Sequence, residues 1–241
     1  MPWSSITRHA DGLGESPFWH PREQCLYWVD APGRQVRRLV PATGAQDDWA
    51  MPSEPGCIAP AAGGGLVIAL RDGIYRARTW GGALDLLAPA QHDPSVLRFN
   101  DGKADPLGRF WAGSIYEPKD KAEAALFCLE GATLQRKAGG ATTANGLAFS
   151  PDARTLYWAD TPGHVVRAWD WDARANALSN ERVFHQFPPK PAGWQPGQGA
   201  DGMYGGRPDG AAIDSQGNYW VAMFEGGQVL QLSPAGQVLQ A

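Results

Sequence analysis

The sequence predicts an all-β protein, a β-propeller formed by a single domain over residues 1–241. Three observations predict this fold. A short strand pattern with a central Trp recurs along the chain, the spacing of its copies suits propeller blades, and no long segment has helical periodicity. A β-sandwich is the alternative, but several copies that repeat in register favour the propeller.

The two clearest copies are LYWVDAPGRQVRRLVPATG (26–44) and LYWADTPGHVVRAWDWDAR (156–174). Each has an aromatic strand, an acidic residue, a Pro-Gly turn and a second strand rich in Val. Residues 109–118 and 218–236 repeat the scheme, whereas GLVIALRDGIYRART (65–79) is a weaker copy that lacks the Trp. Short aromatic and β-branched runs bounded by turn residues are typical of strands.

The spacing of the copies indicates propeller blades. Their equivalent positions are 39, 44, 47 and 62 residues apart, at Trp28, Val67, Trp111, Trp158 and Trp220. Repeats of about 40–50 residues with several strands each are typical of blades. We predict five visible blades, which start near Glu15, Cys57, Asn100, Asn145 and Asp209.

Two segments lie outside this regular pattern. Residues 1–10 are a candidate strand of a further blade. The Pro- and Gly-rich segment 187–207 stretches the last interval, and we expect it to form a surface loop that overhangs the channel. Trp194 and Tyr204 in this segment are candidates for a lid, and exposed loop filler is the alternative.

Composition excludes several classes of protein. The formal net charge of −4 and the lack of Lys/Arg runs longer than two argue against a nucleic-acid partner. No apolar run approaches the ~20 residues that span a bilayer, and the N-terminus lacks signal-peptide features. Cys25, Cys57 and Cys128 form neither a disulfide framework nor a zinc motif. These features predict a cytoplasmic protein without a membrane partner, and they leave the oligomeric state open.

Four polar residues occupy similar positions in their repeats. Glu15, Asn100, Asn145 and Asp209 precede their anchoring Trp by 13, 11, 13 and 11 residues. The first strand of each blade lines the central channel, so we expect these side chains to meet at one channel mouth. Oxygen ligands without His suit Ca²⁺, Mg²⁺ or Mn²⁺, with Zn²⁺ and Fe²⁺ as further candidates.

The local sequence allows a simpler interpretation of each residue alone. Asn-Gly and Asp-Gly are common turn dipeptides, so Asn145 and Asp209 could mark ordinary turns. Pro17 is expected to hold Ser16 in an extended conformation next to Glu15. The shared register of the four residues, rather than any single match, favours a metal site.

At these residues the chain resembles the SMP-30/gluconolactonase/regucalcin family. The matching segments follow the family order and are GESPFW (14–19), LYWVD (26–30), RFNDGKADPLGRFWAGS (98–114), NGLAFSPDARTLYWADT (145–161) and PDGAAIDSQGNYWVA (208–222). The resemblance implies a six-bladed propeller whose last blade is incomplete in this chain. It also implies hydrolysis of a small-molecule sugar lactone.

The resemblance assigns roles to individual residues. It implies that one divalent cation is bound by Glu15, Asn145 and Asp209, and that Arg98 and Asn100 contact the substrate. Glu117 lies where family members vary and shape the pocket, and it is our third candidate for substrate binding. We expect Asp209 also to act as the general base on water.

Several alternatives stay open at this stage. The same metal site could hydrolyse organophosphates, and a non-catalytic propeller could simply bind Ca²⁺; strictosidine-synthase-like propellers match the motifs less well. Arg98 could pair with Asp101 or another surface carboxylate rather than with substrate. We expect Lys103 and Asp105 to serve turns and blade packing.

Overall fold

The computed structural model describes residues 5–7, 9–195 and 204–241. These residues form five four-stranded antiparallel sheets. The first two sheets contain β1–β4 (Gly14–His20, Cys25–Asp30, Gln35–Val40, Ala45–Ala50) and β5–β8 (Cys57–Pro60, Leu66–Leu70, Gly73–Ala77, Leu84–Pro89). The third contains β9–β12 (Leu97–Ala104, Phe110–Tyr116, Ala124–Glu130, Thr133–Ala141). The last two contain β13–β16 (Ala144–Phe149, Thr155–Asp160, Val165–Asp172, Ala177–Gln186) and β17–β20 (Arg207–Ile213, Tyr219–Phe224, Gln228–Leu232, Val238–Gln240).

Each sheet is one propeller blade, in which the strands follow one another in sequence order. The successive first strands pack against one another, β1 on β5, β5 on β9, β9 on β13 and β13 on β17, and form the inner lining. This arrangement confirms the all-β propeller and the five predicted blades. A sixth, incomplete blade is not confirmed. The described part of residues 1–10 forms no strand, and residues 1–4 and 8 lie outside the described part of the chain.

The repeated Trp residues pack the blades against one another. Trp111 and Trp158 are fully buried in one apolar cluster between the third and fourth blades. The indole N–H of Trp111 donates to Asp105 Oδ2 at 3.0 Å, and that of Trp220 donates to Asp214 Oδ2 at 3.0 Å. In these two blades the aspartate that follows the inner strand therefore fixes the Trp of the next strand, which agrees with the packing role expected for Asp105.

The inner strands of four blades are irregular at the predicted site residues. The pairing of β1, β13 and β17 with their neighbours is interrupted next to Glu15, Asn145 and Asp209, and that of β9 is interrupted near Asn100. Only β5 pairs without such a shift. A β-bulge changes the direction in which a side chain points.

One local expectation proves wrong at these bulges, and one alternative is not supported. Ser16 has a φ of 51° rather than an extended conformation, because the bulge turns the chain there and brings its hydroxyl within 3.1 Å of the Ile58 N–H. Gly146 lies inside β13, where its φ of 58° belongs to the bulge and not to a turn. All three cysteines are free and buried. In the described ranges we find no helix with the length and apolar character needed to span a bilayer.

Candidate active site

An open cavity of about 140 Å³ lies at the starts of the inner strands, and two sets of residues are among those that line it. The first set, which we call the ligand layer, consists of Glu15, Asn100, Asn145 and Asp209. The second set, the rim layer, consists of Leu13, Arg98, Thr143 and Arg207. Each rim residue precedes a ligand-layer residue by two positions, and Leu13 and Thr143 lie just before β1 and β13. The four predicted oxygen ligands therefore do meet in one cavity.

Hydrogen bonds fix the orientation of the Asn145 amide. Its Nδ2 donates to Thr161 Oγ1 at 2.7 Å, and the Thr161 hydroxyl donates in turn to the Pro208 carbonyl at 2.7 Å. The Asn145 Oδ1 atom lies on the other side of the amide, where it accepts from Asn100 Nδ2 at 3.2 Å. The amide therefore presents its oxygen, rather than its nitrogen, to the ligand layer.

The ionised form of both carboxyl groups in the ligand layer is disfavoured. Burial, together with the charges of Asp209 and Asp101, raises the pKa of Glu15 to about 8. Burial and the charge of Asp101 raise the pKa of Asp209 to about 6. A divalent cation between the two carboxylates would offset this repulsion, so the residues present fit such an ion.

A metal site in this cavity would depend on amides as well as carboxylates. Across residues 5–7, 9–195 and 204–241, no group of three His, Cys, Asp or Glu side chains could hold a metal ion. Two carboxylate and two amide oxygens remain as donors in the cavity. Oxygen donors of this kind suit hard cations such as Ca²⁺ and Mg²⁺ better than soft ones.

Arg98 lies beside the ligand layer and is held by neutral and charged partners. Its Nη1 donates to Asn100 Oδ1 at 3.1 Å and to the Phe99 carbonyl at 3.0 Å. Its Nε lies 3.4 Å from Glu117 Oε1, so Arg98 pairs with Glu117 and not with Asp101. Burial lowers the pKa of Arg98, which stays a strong base.

Glu117 is placed differently from the other predicted residues. Its two oxygens accept from Arg71 Nη1 and Nη2 at 2.9 and 3.1 Å, and it does not line the cavity. Its contact with substrate therefore stays a prediction. The role that the contacts support is to hold Arg98 in place.

Asp101 and Lys103 continue the inner strand beyond the ligand layer, beside a cavity of about 580 Å³ between the first and fifth blades. Asp101 Oδ2 accepts from the Leu147 N–H at 2.9 Å, and Lys103 Nζ donates to the Ala211 carbonyl at 2.6 Å. Burial raises the pKa of Asp101 and lowers that of Lys103, and each opposes the other's shift by its charge. These contacts link β9 to both strands that carry Asn145 and Asp209.

Sequence reasoning missed two cationic residues of the cavity, Lys119 and Arg207. A signal for Arg207 was available, because it precedes Asp209 by two residues just as Arg98 precedes Asn100. Lys119 lies in an irregular segment after β10, where no repeat pattern places it.

The proposed lid is only partly described. Tyr204 is buried, and its hydroxyl lies 2.8 Å from His164 Nε2. The Trp194 ring packs against Tyr204 with its centroid 5.2 Å away. Neither ring lines the cavity, and residues 196–203 lie outside the described residues, so the lid stays a prediction.

Comparison with known proteins identifies the family. Residues 13–241 match the family described as SMP-30/Gluconolactonase/LRE-like region. The chain belongs to this family. It is similar to a 6-deoxy-6-sulfogluconolactonase from Pseudomonas putida, with 40% identity over 235 residues that cover 97% of this chain and 76% of the relative.

Two further members of the family illustrate its range. A regucalcin from Danio rerio is 33% identical over 245 residues, which cover 98% of this chain and 76% of the regucalcin. A solved gluconolactonase structure from Xanthomonas campestris superposes with a TM-score of 0.76 at 27% identity, covering 97% of this chain and 76% of that one. The chain therefore spans about three quarters of the length of each of these relatives.

Proposed function

We propose that this chain hydrolyses a sugar-acid lactone to the open-chain acid with the help of one divalent cation. The observation that carries the proposal is the meeting of Glu15, Asn145 and Asp209 in one cavity beside Arg98 and Asn100. The lactonase names of relatives in the same family support the choice of substrate. A cation bound by Glu15, Asn145 and Asp209 would supply Lewis acidity at the lactone carbonyl.

Asp209 is the residue that handles the proton in this proposal. Its carboxylate accepts a proton from the water that attacks the lactone carbonyl and returns this proton to the ring oxygen as the ring C–O bond breaks, which gives the open-chain hydroxy acid. In the metal-free protein, a pKa near 6 makes this carboxyl group more basic than an ordinary aspartate, and a bound cation would favour its ionised form. Glu15 has the higher pKa and is more strongly protonated in the free protein.

Arg98 and Asn100 position the substrate in this proposal. The hydrogen bond between Arg98 Nη1 and Asn100 Oδ1 holds both side chains at the cavity. A guanidinium and an amide together can hydrogen-bond adjacent hydroxyl oxygens on a sugar ring and hold the carbonyl near Asp209. Glu117 restricts the rotation of Arg98 through their ion pair.

A second candidate function is binding of Ca²⁺ without catalysis. The similarity to a regucalcin favours it, and the oxygen ligands suit Ca²⁺ equally well. Hydrolysis of organophosphates at the same site is a third. Rates with aldonolactones and with organophosphates, each measured across a series of added metals, separate the three.

The decisive variant is Asp209→Ala. We expect metal-dependent lactone hydrolysis to fall by about 10²–10⁴-fold, because both a metal ligand and the base are removed. The matched control is Asp85→Ala, since Asp85 is exposed on β8 and pairs only loosely with Arg78 at 3.4 Å. Full activity of the Asp209 variant, with the metal still required, would contradict the role given to this residue.

A further inference from the structure

The lining of the cavity carries more positively charged side chains than the neighbouring carboxylates can balance. Three cationic side chains line the cavity, namely Arg98, Lys119 and Arg207. The carboxylates on the same lining are Glu15 and Asp209, which the divalent cation balances in the proposed function. Whether positive charge is left over depends on the ion pairs that each of these cationic side chains makes outside the cavity.

Arg98 belongs to a cluster with an excess of guanidinium groups. Arg71 pairs with Glu54 at 3.0 Å and with Glu117 at 2.9 Å, Arg34 pairs with Glu54 at 3.5 Å, and Arg98 pairs with Glu117 at 3.4 Å. Three guanidinium groups therefore share two carboxylates. The cluster keeps one uncompensated positive charge beside the cavity.

Arg207 shares its only described carboxylate partner with another cation. Arg207 Nη2 lies 2.9 Å from Glu225 Oε2, while Lys190 Nζ lies 2.6 Å from the same oxygen. The Nε atom of Arg207 is buried and has no hydrogen-bond partner in the structure. The guanidinium lies 5.1 Å from the centre of the Phe224 ring. This ring also lines the cavity, and it limits the movement of the Arg207 side chain.

Lys119 is held at the cavity by its backbone and has no carboxylate partner within the described ranges. Its φ of 60° is unusual for a residue other than glycine, and its N–H donates to the Tyr116 carbonyl at 3.1 Å. The neighbouring Asp120 hydrogen-bonds the Tyr116 side chain, and Lys121 pairs with Glu123 at 3.7 Å. The ammonium group of Lys119 is thus left for a ligand.

We propose that Arg207 and Lys119 form a binding site for an anionic group on the substrate, at the side of the lactone ring away from the reacting carbonyl. This inference rests on the proposed function. Arg207 precedes Asp209 by two residues on β17, and both side chains line the cavity. The reacting carbonyl lies at the ligand layer, and a charged substituent across the ring then reaches the rim layer. A phosphate, a sulfonate or a carboxylate would each satisfy a guanidinium and an ammonium group.

The test compares hydrolysis of neutral and anionic lactones by the full chain loaded with metal. The probes are gluconolactone, its 6-phospho and 6-deoxy-6-sulfo derivatives, and glucarolactone, so the separate arms distinguish phosphate, sulfonate and carboxylate. We expect kcat/KM to be at least about tenfold higher for one anionic arm than for gluconolactone. Arg207→Gln and Lys119→Gln should each lower this ratio by about tenfold, mainly through KM.

The matched control is Lys121→Gln, which removes the same charge two residues from Lys119 without touching the cavity and should leave the ratio unchanged. Lys119 is exposed, so its variant stays informative even if Arg207→Gln fails to fold. A wild-type ratio near one for all three anionic arms, or a ratio that neither variant lowers, would overturn the anion site.

Calorimetry separates this inference from the proposed function. If no lactone is hydrolysed, the proposed function fails, and binding of 6-phosphogluconate and 6-deoxy-6-sulfogluconate relative to gluconate still tests the anion site. Tighter binding of either anionic probe that Lys119→Gln weakens supports the site. Equal binding of all three acids contradicts it.

Discussion

The inner strand of the second blade differs from those of the other four. β5 pairs regularly with β6 from Cys57 to Pro60 and presents no polar side chain to the ligand layer. The inner strands β1, β9, β13 and β17 all contain a register shift at the residue that lines the cavity. A regular strand packs the propeller, whereas a bulged strand turns an oxygen-bearing side chain towards the axis.

The contrast shows how one repeat serves two purposes. The second blade keeps Cys57 and Ala59 fully buried in the core, and its copy of the sequence pattern is the one without a Trp. In the other four blades the bulge disrupts ladder pairing, and contacts between blades must hold the irregular backbone. Asp101 and Lys103 provide such contacts, to the Leu147 N–H and the Ala211 carbonyl.

The largest effect on stability is expected when these contacts between bulged strands are removed. Lys103→Met leaves the Ala211 carbonyl without its donor and Asp101 without its nearest positive charge. We expect unfolding free energy to fall by about 3 kcal/mol, because one charge of an enclosed pair stays uncompensated. Denaturant unfolding of the metal-free protein measures this effect.

The matched control for this variant is Lys137→Met. Lys137 also bridges two blades, donating to the Asn176 carbonyl at 3.0 Å, but it lies on the outer strand β12 away from the channel. We expect this control to lose less stability and to keep its metal affinity. Equal losses of stability and of metal affinity in the two variants would show that the contacts inside the channel stabilise the fold and the cavity no more than contacts between outer strands do.

A smaller effect is expected from Gly146→Ala, which tests the bulge itself. A Cβ on Gly146 would lie 2.3 Å from the Tyr219 hydroxyl oxygen, at a φ of 58° that disfavours Ala. That hydroxyl donates to the Gly146 carbonyl at 2.7 Å, so it cannot move without losing a buried hydrogen bond. We expect a loss of about 2 kcal/mol and weaker metal binding, since Asn145 is the adjacent residue.

Gly210→Ala is the matched control for the bulge. Gly210 follows Asp209 in the bulge of β17, but a Cβ there would meet no atom within 4 Å. Calorimetric Tm and metal affinity should change little in this variant. If both alanine variants behave alike, the positive φ of the fourth blade's bulge is not what holds Asn145 in place.

The sequence was sufficient to predict the all-β propeller and its five blades, because the spacing of Trp28, Trp111, Trp158 and Trp220 reflects packing that four of the blades repeat. The sixth, incomplete blade that the family resemblance implied is not confirmed. It was also sufficient to bring Glu15, Asn145 and Asp209 to one cavity, because they share a position in the repeat. What it could not show was the local backbone: Pro17 suggested an extended Ser16, whereas the bulge requires a positive φ.

Residues that act through partners distant in sequence were the hardest to predict. Glu117 meets Arg71 across 46 residues, and Lys103 meets Ala211 across 108. Neither contact follows from a motif or a period, because both depend on how one blade lies against another. Lys119 shows the same limitation, since an irregular segment brings it to the cavity.

The smallest effect concerns how the stability of the metal-free protein depends on pH. The pKa values of Glu15 and Asp209 are raised in the folded protein, to about 8 and about 6, so the folded state binds more protons than the unfolded state between about pH 4 and pH 8. The stability from these groups is present below pH 4 and is lost as pH rises through 6 and 8. We expect a loss of about 1 kcal/mol, measured as a falling Tm in chelator, because both side chains are only half-buried.

Glu15→Gln should flatten this dependence, since glutamine does not titrate, while Glu181→Gln, on the exposed strand β16, should leave the slope unchanged. Added Ca²⁺ should raise the Tm more at pH 8 than at pH 5, because binding requires the deprotonated carboxylates. The second blade contributes no carboxylate to the ligand layer, so the groups whose titration changes the stability lie on the bulged strands. A Tm that rises between pH 5 and pH 8 in chelator, or an unaltered slope in Glu15→Gln, would mean that the two carboxylates do not share the cavity as neighbours.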